Sequence, residues 1–224
     1  MKPTKYFLLI IVFLSYMSCR QTDAVPYFGI DFLFKEPQSI NDIELKHFPN
    51  KLIGSYINQD STYLIITDKV ICNKWIKRNN VSLSEFDSVK DSVKIIGNRM
   101  YLLDSKKFFD FRKVKDSIEI TDTYYDTIFS ISNFNKANKI KGAFVLNTKD
   151  SIYWKIKVLS LDKKNLKLMT LVSEDDLARI DSLSKIKVQK IDSTRNVIEL
   201  SKAEFKRMLT LKNLGHIQEY KKLN

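Results

Sequence analysis

The stretch NTKDSIYWKIKV, residues 147–158, decides the fold. From Ile152 onward it alternates, with Ile152, Trp154, Ile156 and Val158 on one face of an extended chain and Tyr153, Lys155 and Lys157 on the other. A period of two belongs to a β-strand. The Lys-Asp-Ser run before it reads as the corner that starts the strand, not as a chemical motif. An Asp at such a corner accepts a bond from a backbone N–H two residues on, and Ser does so more weakly.

Outward from this stretch the pattern repeats. KIKGAFVLN, the turn TKD, SIYWKIKVLSL, the turn DKKN and LKLMTLV form a meander of sequential antiparallel strands. An earlier set, LIGSYI, STYLIIT and VICNKWI, has the same rhythm. Asp-Ser recurs eight times, and at Asp60, Asp91, Asp116 and Asp150 it precedes an alternating segment, which makes it turn punctuation. The aspartates lack the D-x-D-x-D spacing of a calcium loop.

Helices are few. Ser173-Glu174-Asp175-Asp176 and Ser201-Lys202-Ala203-Glu204 both have the form of a capping box ahead of apolar residues at helical spacing, and SLSEFDSV near 82–89 is a third candidate. KIKVQKI, RNVIEL and the terminal IQEYKKL read as strands. The expected class is therefore mainly β, with antiparallel meanders forming a barrel-like or strongly curved sheet and two or three short helices.

Residues 1–18 carry Lys2 and Lys5, an apolar run from Tyr6 to Leu14 and small Ser18 ahead of Cys19, the layout of a secretory signal that ends at a lipidated cysteine. The apolar run is shorter than the roughly 20 residues a membrane-spanning helix needs. Cys19 is the expected lipid anchor. Residues 19–46 then form a tether that packs in part through Tyr27, Phe28, Phe32 and Phe34, and residues 47–224 form a single β-rich domain.

Composition removes several chemistries. With Cys19 lipidated, Cys72 is left without an intrachain partner, and the only histidines are His47 and His216, so no zinc spacing exists. The five glycines stand singly, which excludes a glycine-rich phosphate loop. No cofactor, metal or catalytic residue is expected. The 38 basic and 26 acidic residues give a formal charge of +12, with the lysines scattered among Asp and Ser, and the extracytoplasmic address argues against nucleic acid.

The lipobox-like SYMSC, FPNKLIGSY, the Asp-Ser turns, the KGAFVLN to IYWKIKVL hairpin and the late SKAEFKRML segment together resemble uncharacterised lipoproteins of Bacteroidota, and Leu52 to Tyr56 resembles the first strand of lipocalin-like barrels. Ser18 fits the small position of the lipobox; Tyr16 departs from its usual Leu or Val. The resemblance implies a lipoprotein of the outer membrane, held through its N-terminal lipid and facing the periplasm or the cell surface. It implies no activity. Three functional readings follow: a non-catalytic module binding an apolar ligand or an envelope protein, a hydrolase of envelope polymers using a carboxylate pair, or an accessory protein holding anionic envelope components. Tyr56, Phe144 and Trp154 are the aromatics expected to line a pocket in the first reading.

Overall fold

A computed structural model of the chain describes residues 29–38, 43–183 and 187–223. Cys19, Tyr27 and Phe28 lie outside the described residues. The fold is one mainly antiparallel sheet of 16 strands, curled but not closed, with three short helices.

The opening stretch forms a tight hairpin between β11 (Ala143–Asp150) and β12 (Tyr153–Asp162). Its corner differs from the expected one. Thr148 to Asp150 stay in β11, and Ser151 and Ile152 make the turn, Ser151 at φ 56° and Ile152 exposed. The ladder runs on through Thr148–Lys155, Lys149–Trp154 and Asp150–Tyr153 before the chain turns. Trp154, Ile156 and Val158 do share one buried face.

The rest of the sheet grows from this hairpin. KIKGAFVLN is divided by a turn at Lys141 and Gly142, both with positive φ, so β10 (Lys136–Ile140) folds back on β11 and carries β2 (Ile43–Leu45) on its far edge. On the other side of β12 come β13 (Asn165–Thr170), β16 (His216–Lys222), β3 (Gly54–Ile57), β4 (Tyr63–Ile66), β5 (Val70–Ser82) and β9 (Ser117–Ser130). Beyond β9 the path ends in β8 (Lys107–Val114), β7 (Arg99–Leu102) and β6 (Val93–Ile96).

Three strands branch off the first half of β12. They are β1 (Asp31–Phe34), parallel to β15 (Arg195–Glu199), and β14 (Lys187–Lys190) outside it. The folded unit therefore begins well before His47. Phe32, Leu33 and Phe34 are buried because β1 fills the edge of β12 that β13 leaves free, and β1 is a structural strand rather than tether.

Two cores lie on opposite faces of β11 and β12. Inside the curl, Leu52, Tyr56, Leu64, Ile71, Phe129, Phe144, Leu146, Leu159, Leu168 and Tyr220 pack together. On the outer face, Phe32, Phe34, Val145, Trp154, Ile156 and Val158 pack under α2 (Glu174–Asp181) and α3 (Lys202–Met208), which contribute Ile180, Phe205 and Met208. Each buried aliphatic or aromatic side chain contributes about 1.5–3 kcal/mol. A third helix, α1 (Leu83–Val89), follows β5 and buries none of its residues.

All three helices start at the expected Ser caps, and each shows the reciprocal capping box. The Asp-Ser pairs are less uniform than expected. Asp192 closes an Asx-turn, accepting from the backbone N–H of Thr194 and Arg195 at 2.9 Å each, whereas Asp87-Ser88 and Asp181-Ser182 fall in or at the end of helices. There Ser88 and Ser182 donate their hydroxyls back to the carbonyls of Glu85 and Arg179. Competition with helix formation by local hydrogen bonding decided those sites.

Candidate functional site

The three expected pocket aromatics do not meet. Tyr56 and Phe144 are buried inside the curl and Trp154 lies in the outer core, across the sheet from them. Tyr56 donates its hydroxyl to the carbonyl of Leu52 at 2.8 Å, and burial pushes its pKa up. A lysine ammonium lies over each ring: Lys222 at 5.5 Å from the Tyr56 centroid, Lys51 at 5.7 Å from Phe144 and Lys149 at 4.5 Å from Trp154. Two surface clefts of about 370 and 210 Å³, one between α2 and β14–β15 and one beside Gly215, contain none of the three.

The chemistry collects instead where the packed curl opens toward the arm formed by the far halves of β5 and β9 with β6 to β8. Register assigns the faces. Leu146 pairs with Lys157, Lys157 with Thr170 and Thr170 with His216, so these four side chains leave the sheet on the inner face, one row beyond the core row of Phe144, Leu159 and Leu168. On the facing wall, Leu64 pairs with Asn73 and Asn73 with Asp126, which sets both polar groups on the inner face as well. Trp75 and Tyr124, the next inner pair along this hairpin, follow two residues further from the core.

Lys157 is the unusual group. Its side chain is half-buried, and among the described residues its ammonium makes no hydrogen bond or ion pair. Desolvation pulls its pKa below the ordinary lysine value, outweighing the charge of Asp126, which acts the other way; the neighbouring cation of Lys155 lowers it further. Lys155 itself is paired, to Asp150 at 3.1 Å and Asp31 at 3.4 Å. The two lysines stand two residues apart on one face, yet only one is neutralised.

The facing wall is polar and partly open. Asp126 and Tyr124 are exposed, Trp75 is half-buried, and the Oδ1 of Asn73 is buried with no hydrogen-bond partner. A hydrogen bond to Asp122 pushes the Tyr124 pKa up to about 12 and keeps its proton on the ring oxygen. Burial and then the charge of Asp126 raise the pKa of the half-buried Cys72 thiol, which disfavours its thiolate. Among the described residues no group of His, Cys, Asp and Glu is arranged to hold a metal ion. The arrangement provides one unpaired cation and, on the facing wall, two paired aromatic residues, which suits recognition of a charged molecule.

The alternation sets Lys157 on the face opposite Trp154, as the register shows. What periodicity does not reveal is that this face turns inward when the sheet curls. No family model, curated protein or solved structure matches the chain.

Proposed function

We propose that this chain is a lipid-anchored binding module of the bacterial cell envelope, held through Cys19, that takes an anionic, ring-bearing ligand at the mouth of the curled sheet and does not turn it over. The observation that carries the reading is the unpaired, desolvated ammonium of Lys157 facing the mouth. An unpaired, half-buried cation bears a desolvation cost that an anionic partner offsets.

The roles divide by chemistry. Lys157 donates a charge-assisted hydrogen bond to the carboxylate of a monoanionic ligand. Trp75 and Tyr124 offer ring faces on the facing wall. Exposed Asp126 faces the same space and selects against a dianion by repulsion. The lipid reading of residues 1–19 supplies the address and the outer-membrane side.

Tryptophan fluorescence tests the ligand class. In a Trp154→Phe background the only tryptophan left is Trp75. Glucuronate is expected to change its emission saturably while uncharged glucose does not, and Lys157→Met is expected to abolish the glucuronate response. Equal responses to the two sugars, or an unchanged response in Lys157→Met, would overturn the proposal.

A further inference from the structure

Scattered in sequence, the turn lysines converge in space. β12 runs from the Ser151–Ile152 turn to the turn at Lys163 and Lys164, and antiparallel β11 starts beside that second turn, at Lys141 and Gly142. The ladder carries the same level across the sheet. Asn165 pairs with Lys221, Lys222 with Tyr56, and Gly54 with Ile66, so the C-terminal lysines and the β4–β5 turn with Lys69 arrive at this end too. Hydrogen bonds join them: the Lys222 N–H donates to the Lys164 carbonyl at 3.0 Å, the Lys222 ammonium to the Lys51 carbonyl at 3.1 Å, and the Phe48 N–H to the Asp68 carbonyl at 2.7 Å.

One end of the body is thus capped by Lys69, Lys139, Lys141, Lys163, Lys164 and Lys221, all exposed. The acids at this level are few. Asp68 is bonded to His47 at 2.7 Å, and Asp162 closes the β12–β13 turn. At the opposite end, the corner of the opening hairpin mixes lysines with acids: Lys155 pairs with Asp150 and Asp31, and the Lys149 ammonium donates to the Ile152 carbonyl.

We propose that this lysine end docks on an anionic lipid surface, with the headgroup phosphates as its partners. Two observations choose lipid as the occupant. The charge is spread over four separate turns and strand ends on one level, which fits a planar array of phosphates and not a single groove-bound chain. Also, β1 runs antiparallel to β12, so Asp31 is the end of β1 nearer the lysines, and Cys19 lies 12 positions before it. Twelve residues reach at most about 43 Å. A lipid at Cys19 and lysines on this level can therefore engage one membrane together; this clause rests on the lipid-anchor reading, whereas the lysine end does not.

The test separates the two. The full chain carrying Cys19→Ala is sedimented with phosphatidylcholine vesicles, with and without phosphatidylglycerol at roughly a third of the lipid. Binding to the neutral vesicles reports any contribution of the apolar N-terminal segment and is subtracted. Anionic vesicles are expected to bind more, in a manner lost at high salt. The triple substitution Lys69→Gln, Lys139→Gln and Lys221→Gln, at positions with ordinary backbone angles, is expected to weaken that excess roughly a hundredfold. The matched triple Lys90→Gln, Lys94→Gln and Lys113→Gln on the arm is expected to leave it within about threefold, since those charges stand off the membrane by more than a Debye length. Thermal melts confirm that both variants fold. Equal losses in the two triples would mean net charge alone is responsible and would overturn the proposal. So would binding of soluble polyphosphate at these lysines without binding to anionic vesicles, which would assign the face to a soluble polyanion. Neither result bears on whether Cys19 is lipidated.

Discussion

Asn147 holds Gln38 by both of its backbone groups: its Oδ1 accepts from the Gln38 N–H at 2.7 Å and its Nδ2 donates to the Gln38 carbonyl at 3.2 Å. The same Nδ2 lies 3.2 Å from the Lys136 carbonyl and from Asn138 Oδ1, and the asparagine is fully buried. One side-chain amide thus stands in for a strand neighbour, tying the segment after β1 to β11 across 109 residues of sequence.

Asn147→Ala should destabilise the protein by about 2–3 kcal/mol, because it strands a buried donor and acceptor of Gln38. Asn147→Asp should cost at least as much, since its carboxylate would face the oxygens that Nδ2 now serves. Chemical denaturation checks both. A loss under about 0.5 kcal/mol in Asn147→Ala would mean that the Gln38 segment is not held by this contact.

Gly215→Ala should be among the most damaging single-methyl changes in the chain. Gly215 has φ 71°, and an added Cβ would sit 2.7 Å from Met169 Cγ and 2.9 Å from the Thr170 carbonyl. Its N–H also donates at 2.6 Å to Asp176, a buried carboxylate whose other oxygen caps α2 through the N–H groups of Val172 and Ser173. Strain and overpacking together predict a loss of about 2–4 kcal/mol. A melting temperature equal to wild type would show that β13 and β16 can separate to admit the methyl.

Lys157→Met should stabilise the protein while removing ligand binding. The substitution keeps the length of the side chain and deletes a desolvated cation, for a gain of about 1–2 kcal/mol at neutral pH. The pH dependence has a definite sign. The folded-state pKa of Lys157 lies below its unfolded value of 10.5, so at pH below the folded pKa both states are charged and the folded state bears the desolvation cost. As pH rises through the folded pKa toward 10.5 the unfolded chain binds more protons on this group, and wild-type stability recovers relative to the variant. The advantage of Lys157→Met should therefore shrink with rising pH. An advantage that is constant or grows would show that charge is not its origin.

Cys19→Ala should move the protein from the membrane fraction to the soluble fraction when cells are fractionated. Cleavage before Cys19 would leave acyl chains as the anchor, and several chains at about 0.8 kcal/mol per methylene hold a protein permanently. Among the described residues no helix is long and apolar enough to span a bilayer. Retention of Cys19→Ala in the membrane fraction would contradict the lipid-anchor reading.

The strands nearest the opening hairpin were legible because their two-residue period is strong, and the helices because each Ser cap has its acidic partner three residues later. Other features depended on partners distant in sequence. β1 was hidden in a segment with prolines and no sustained period, since only four residues pair and their parallel partner, Arg195 to Ile198, comes 164 positions later. The arm was legible only in part, as SVKII and SIEIT, because β7 and β8 mix charged and aromatic residues on both faces. Lys157 had the right face but not its meaning: whether a face is wet depends on how the sheet curls, and the partners that curl it, Leu64 and Phe129, lie in other strands. The lysine end was invisible for the same reason, its charges being single residues at separate turns.

The most direct test of the account is the titration of the Lys157 ammonium by NMR of protein labelled at lysine Cε and Nζ, assigned with Lys157→Met. The expected result is a free-protein pKa below 10.5 that moves upward when glucuronate is added and stays put with glucose. An ammonium that titrates at or above the ordinary lysine value and is indifferent to both sugars would contradict the claim that the mouth of the curled sheet is built around an unpaired cation awaiting an anion.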